Sequence, residues 1–105
     1  MIKGYVISGR KTEFFESRTV SSTASGFSSD KINPTSGPFA GKKCREVFCT
    51  VEEDQIRYTL EGTDPSTGHL LNVGDSLIIS NPDDIQNYQD IRVTGDAVMR
   101  VSYKF

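Results

Sequence analysis

Alternating apolar and polar residues dominate the second half of the chain. The clearest alternation runs to the last residue, with every second position apolar: Ala97, Met99, Val101, Tyr103 and Phe105. An earlier segment repeats it with Ile56, Tyr58 and Leu60. A period of two places all the apolar side chains on one face of a β-strand. Both segments are therefore predicted to be strands with one buried face.

Further short strands are predicted at residues 19–24, 42–51 and 76–80. The second of these places Val47, Cys49 and Val51 on one face. The acidic run at residues 52–54 is interpreted as a solvated turn, with a cation site as the alternative. Because this turn is short, the strands on either side of it are predicted to be antiparallel neighbours.

Turn residues separate these segments. After the strand at Ile56, the sequence Gly62-Thr63-Asp64-Pro65 predicts a turn, because Asp bonds its own backbone and Pro removes a hydrogen-bond donor. Gly68 and Gly74 are predicted to allow the bends of the loop that follows. These five positions, Gly62, Asp64, Pro65, Gly68 and Gly74, are the predicted structural turns.

One short helical turn is predicted near residues 82–88. Asn81 provides a polar cap, Pro82 suits the first helical position, and acidic residues follow in the first turn. With the short apolar segments at residues 5–7 and 91–93 also counted, there are six or seven strands spaced about 8–12 residues apart and no long helical pattern, which is typical of an all-β fold. The predicted fold class is a small antiparallel β-sandwich or barrel. Residues 17–105 are assigned to one domain and residues 1–16 to an N-terminal arm.

Four residues are candidates for an interface with other proteins. Phe14 and Phe15 are adjacent aromatics in an otherwise polar arm, which lies either on its own core or on a neighbouring subunit. Arg100 and Lys104 fall on the predicted solvent face of the last strand.

Composition narrows the class of function. The 105 residues are enough for one domain, and the net charge of −2 suggests no attraction to nucleic acid or to an anionic membrane. No apolar run approaches the roughly 20 residues that span a bilayer, and residues 1–8 do not resemble a secretory signal. We therefore expect the chain to mature in a cytoplasm.

The chain has few residues that could form a catalytic or metal-binding site. The chain has a single histidine, His69, interpreted as a structural loop residue, and two cysteines, Cys44 and Cys49, expected to be reduced. Their spacing does not match a zinc motif. We predict no catalytic residue, no cofactor and no metal, and expect a protein that is not an enzyme.

The ordered combination of several motifs resembles small virion proteins of tailed bacteriophages. The resemblance lies in residues 56–65, 68–71, 74–76, 91–92, 96–97 and 101–103, with residues 19–27 similar to the first strand of those proteins. It covers residues 19–105. The arm at residues 1–16 and an apparent insertion at residues 35–41 depart from the pattern.

This resemblance implies a structural role. The expected function is capsid decoration or cementing of the phage head through contacts with the major capsid protein or other virion subunits, and the expected location is the virion, assembled in the host cytoplasm. A homo-oligomer is expected, since shell proteins act in many symmetric copies.

A carbohydrate- or surface-binding β-sandwich module is the main alternative. Residues 56–65 are similar to a strand–turn motif in immunoglobulin-like accessory domains of chitobiase-type glycosidases. In this alternative an exposed tyrosine, Tyr5, Tyr58 or Tyr88, would stack on a sugar ring.

Overall fold

The structure is a computed structural model and describes residues 9–105. In that part of the chain, seven strands, two short α-helices and one 3₁₀ turn follow in this order: β1 (Thr12–Val20), α1 (Ser29–Ile32), β2 (Glu46–Glu52), β3 (Ile56–Thr59), the 3₁₀ turn (Pro65–Thr67), β4 (His69–Leu71), β5 (Ser76–Ile79), α2 (Pro82–Asn87), β6 (Gln89–Arg92) and β7 (Ala97–Lys104).

The strands form two antiparallel sheets. The larger sheet has the order β1-β7-β2-β5, and the smaller one has the order β4-β3-β6. The two sheets pack together around one apolar cluster. The predicted all-β sandwich is confirmed.

The last strand supplies much of the core, as its alternation predicts. Its inward side chains are fully buried: Ala97, Met99, Val101 and Tyr103. They belong to the same cluster as Ile56 of β3 and Tyr88, which follows α2. Each Å² of apolar surface that these side chains remove from water contributes about 25 cal/mol to the stability of the fold.

The first strand begins earlier than its sequence suggests. A strand was expected at residues 19–24, whereas β1 covers Thr12–Val20 and pairs with β7 along its length, from Thr12 opposite Lys104 to Val20 opposite Ala97. The boundary between residues 16 and 17 therefore falls inside β1, because residues on both sides of it pair with β7, with one register shift between Thr12 and Phe14. Residues 1–8 of the predicted arm lie outside the described residues.

The strands on either side of the acidic turn are not neighbours, so the hairpin predicted there is wrong. β2 pairs with β5 and β7, whereas β3 pairs with β4 and β6 of the other sheet. The chain crosses between the sheets at Glu53, whose φ of 75° turns the backbone sharply.

The predicted helical turn is confirmed as α2. The Asn81 side chain accepts hydrogen bonds from the backbone N–H groups of Asp83 and Asp84, at 2.8 and 3.2 Å, and Pro82 occupies the first turn. Ile85 and Tyr88 are fully buried beneath it. The helix thereby connects the larger sheet to the smaller one and closes one side of the core.

Candidate interaction surface

An apolar row crosses the outer face of the larger sheet. The strand register places Phe15 opposite Ser102, Ser102 opposite Phe48, and Phe48 opposite Ile78, so that the four residues span all four strands. They point away from the core because their neighbours along each strand, such as Val101 and Cys49, point into it. Three of the four members of this row, which we call the outer row, are large and apolar.

Both ends of the outer row are accessible. Phe15 on the edge strand β1 is 58% exposed, and Ile78 on the opposite edge strand β5 is 40% exposed. Phe48 lies between them and is partly buried. Large apolar side chains held side by side at a protein surface are typical of a contact site for another macromolecule.

A polar row lies beside the outer row. Arg100 is exposed at its centre and forms an ion pair with Glu52, while Ser17 and Thr50 flank it on the adjacent strands. An arginine beside aromatic side chains matches the composition of protein–protein contact sites. The outer face therefore combines an apolar strip with an exposed, ion-paired arginine at its border.

The structure separates the four candidate interface residues. Phe15 and Arg100 share the outer face. Phe14 is opposite Tyr103 and packs edge-on against Phe105, with ring centroids 6.0 Å apart, so it is half-buried against its own core. Lys104 is on the same face as Arg100 but is buried, 3.9 Å from Glu46.

The predicted turn residues shape the loops of the smaller sheet. Asp64 caps the 3₁₀ turn, because its carboxylate accepts a hydrogen bond from the Ser66 N–H at 2.9 Å, and this bond lowers the pKa of Asp64. Pro65 is buried in that turn, and Gly62 and Gly74 have φ of 78° and 90°. Gly68 has a different role: a side chain there would meet the backbone oxygen of Tyr58 at 2.2 Å.

A buried polar cluster, which the sequence analysis missed, lies between the two sheets. Arg18 of β1 forms two bonds to Asp90 of β6 and also donates to the Ser25 hydroxyl and the Gly26 carbonyl. The Tyr88 hydroxyl donates to Asp90 at 2.8 Å, and burial, together with the nearby Asp90 charge, raises the pKa of Tyr88. Arg18 and Val20 share a strand face, which was the available signal that Arg18 points inward.

A second part of this cluster involves Glu16. Its carboxylate accepts hydrogen bonds from the hydroxyls of Tyr103 and Ser28. Every polar side chain of the cluster thus has a partner within the protein, and the arrangement holds β1 against the smaller sheet.

The cysteines and the histidine are not brought together. Cys44 and Cys49 are both buried and unbonded to each other, and burial raises the pKa of each thiol. His69 is exposed on β4, with its ring 5.2 Å from that of Tyr58. Within residues 9–105, no group of three or more histidine, cysteine, aspartate or glutamate side chains is placed to hold a metal ion.

Comparison with family models, curated proteins and solved structures finds no match to this chain. In the described part of the chain, neither helix is long and apolar enough to cross a membrane.

Proposed function

We propose that this chain is a non-enzymatic structural protein of a tailed-phage virion that decorates or cements the head. In this proposal the outer face of the larger sheet contacts the major capsid protein. The observation that carries the proposal is the outer row, with Phe15 and Ile78 exposed at its two ends. The order of motifs in the chain resembles that of small phage virion proteins, and this resemblance is the reason for proposing a capsid protein as the partner.

The β-sandwich suits such a role because its contact face is supported from below. The outer row lies directly on the strands that bury Tyr103, Val101 and Cys49. Side chains on a rigid sheet lose little conformational freedom when a partner binds, so less of the contact energy is spent on ordering. On a symmetric shell, each of the many copies would contribute one outer-row contact to the capsid.

The partner surface follows from the same geometry. An apolar strip about four strands wide spans roughly 15 Å, since neighbouring strands are about 4.8 Å apart. A matching capsid surface would present an apolar strip of that length with a carboxylate near Arg100, which then exchanges its bond to Glu52 for one across the interface.

Co-sedimentation with phage heads tests the proposal. Heads assembled from the capsid gene of the same genome, without this chain, are mixed with the purified protein and pelleted. We expect the protein to pellet with the heads and Ile78→Asp to weaken binding at least about tenfold, because a carboxylate would be buried without a partner. Phe15→Ser is expected to act in the same direction.

Leu70→Asp is the matched control. Leu70 is 42% exposed on β4, an edge strand of the smaller sheet, so it equals Ile78 in exposure and strand position but faces the opposite side. Heads that fail to pellet the wild-type protein would refute the virion proposal. Equal losses for Ile78→Asp and Leu70→Asp would refute the assigned face.

Carbohydrate binding is the second proposal, and Tyr58 is the residue that favours it. Tyr88 is fully buried and cannot stack on a sugar, and Tyr5 lies outside the described residues. Tyr58 is partly exposed beside His69, which forms a small aromatic surface on the smaller sheet. Glycan binding that is lost in His69→Ala, without any binding to heads, would favour this proposal over the first.

A further inference from the structure

A basic groove lies at one end of the larger sheet. Two adjoining hollows of about 450 and 370 Å³ share Gly41, Lys42 and Lys43, and the second is also lined by Arg45 and Pro82. Lys42, Lys43 and Arg45 are all exposed. Within residues 9–105, none of the ion pairs involves any of these three cations. Their charge is therefore available to an external partner.

The floor of the basic groove is aromatic. Phe39 stacks on Phe105 with ring centroids 4.9 Å apart, and Phe105 meets Phe14 edge-on. Phe39 and Phe105 are partly exposed in the groove. Cations above an accessible aromatic floor can attract a carboxylate and also bury the apolar stem that carries it.

The wall of the groove is already ordered by its own backbone bonds. The Gly41 N–H donates to the Pro34 carbonyl at 2.9 Å, and the Lys42 N–H donates to the Phe39 carbonyl at 3.0 Å. Gly37 and Gly41 have φ of 82° and 78°, which allows the loop to fold back on itself. The wall coincides with residues 35–41, the apparent insertion. Because the loop is formed in the free protein, binding needs little reorganisation.

The opposite end of the sheet is acidic. Five carboxylates gather there: Glu52, Glu53, Asp54, Asp75 and Asp96. They are held together because β2 ends at Glu52, the Val51 N–H donates to the Asp75 carbonyl, and the Gly95 N–H donates to the Asp54 carboxylate. Arg100 and Arg92 pair with Glu52 and Asp96, so a net negative charge remains, with Glu53 exposed at the tip.

We propose that copies of this chain associate head to tail, with the acidic end of one copy bound in the basic groove of the next. The two surfaces are complementary in charge and lie at opposite ends of β2, whose seven residues span about 20 Å. A contact between different surfaces of identical subunits is heterologous, and its repetition produces a ring or a filament. Glu53 enters the groove first because it is the exposed tip residue.

This contact uses none of the residues of the outer row and adjoins the proposed capsid-facing surface only at the Arg100–Glu52 pair. Self-association through the basic groove is therefore independent of the proposed binding to phage heads. Asp83 and Asp84 follow Pro82 in the first turn of α2 and limit the basic patch on that side. The lysine side of the groove is accordingly the part that receives the acidic end.

Sedimentation velocity of the isolated protein tests the proposal. At low ionic strength, about 20 mM, we expect species larger than the monomer that grow with protein concentration and dissociate near 0.5 M salt, because screening weakens contacts between exposed charges. The variants Lys42→Glu/Lys43→Glu and Glu53→Lys/Asp96→Lys are each expected to weaken self-association at least about tenfold.

Mixing the two double variants gives the decisive result. Each variant alone would place like charges in contact, whereas an equimolar mixture restores opposite charges at every junction and should recover the large species. A single comparison controls for net charge: Glu53→Lys should weaken association, and Glu61→Lys, at an exposed glutamate in the turn after β3 of the smaller sheet, should not. A protein that is monomeric in all conditions, association unaffected by these reversals, or a mixture that fails to recover would each overturn the proposal.

Discussion

Arg18 and Asp90 connect the two sheets through a buried, two-pronged ion pair. Arg18 Nη1 lies 2.6 Å from Asp90 Oδ2, and Nη2 lies 3.2 Å from Oδ1. The side chains are only 7% and 0% exposed, and 72 residues separate them in sequence. The guanidinium also lies over the Phe27 ring, 5.5 Å from its centroid. The pair therefore fixes the position of β1 relative to β6.

Removing one partner of this pair is expected to destabilise the folded protein strongly. Arg18→Met leaves the Asp90 carboxylate buried without its cation. Asp90→Leu leaves the Arg18 guanidinium buried without its anion. Each should lower the free energy of unfolding by about 3–5 kcal/mol. The double variant should cost about 1–3 kcal/mol less than the sum of the two, since no unpaired charge remains. Urea unfolding of all four proteins measures the difference, and simple additivity would show that the pair is not coupled.

Replacing Glu53 with glycine is expected to increase the stability of the protein. Its φ of 75° is in the left-handed region, which costs a residue with a Cβ about 1–2 kcal/mol. Glu53→Gly removes that cost but adds freedom to the unfolded chain, so we expect a net gain of about 0.5–1 kcal/mol. Glu53→Ala keeps the Cβ and should bring no gain. Thermal unfolding of both variants separates the backbone effect from loss of the charge, and equal stabilities for the two would contradict this explanation.

Gly68 and Gly74 are expected to differ in their sensitivity to alanine. At Gly68 a Cβ would lie 2.2 Å from the Tyr58 carbonyl oxygen and 2.8 Å from its carbon, so the backbone must shift. At Gly74 nothing lies within 4 Å, and only the φ of 90° opposes a side chain. We expect Gly68→Ala to cost about 2–3 kcal/mol and Gly74→Ala about 1 kcal/mol. Chemical denaturation should give that order, and the reverse order would place the tighter packing at Gly74.

The alternation of residues 97–103 was sufficient to predict the core strand, because a period of two assigns each side chain to a face without further information. The pairing of strands was not predictable in the same way. The three residues between β2 and β3 suit a hairpin as well as a crossing between sheets. Which of these occurs depends on the partners that β5 and β7 offer to β2, and those lie far along the chain.

The same limit applies to the candidate surface. Phe15 was identifiable as an unusual aromatic in a polar segment, but its position in one row with Phe48 and Ile78 depends on the registers of three strand pairs. Arg18 was missed because a charged residue is normally placed in solvent, and the carboxylate that permits its burial lies in β6. The shared strand face with Val20 was a local signal that Arg18 points inward, but local pattern could not identify Asp90 as its partner.

Alkaline pH is expected to destabilise the protein, with Cys49 as one identifiable cause. Burial raises the pKa of the Cys49 thiol, so it stays protonated in the folded state, whereas in the unfolded chain it ionises near its ordinary value of about 8.5. Its contribution is therefore fully present below about pH 8.5 and is lost as pH rises towards the folded-state pKa, at about 1.4 kcal/mol per pH unit.

Cys49→Ala isolates this contribution. The variant should lose some stability at every pH, because it removes a buried sulfur, but above pH 9 its free energy of unfolding should fall less steeply than that of the wild type by about 1.4 kcal/mol per pH unit. Cys44 and the buried tyrosines Tyr88 and Tyr103, whose pKa values are also raised, keep the remaining slope in both proteins. Urea unfolding under reducing conditions between pH 6 and about pH 10.5 measures the two slopes. Parallel curves across that range would mean that the Cys49 proton does not contribute to stability.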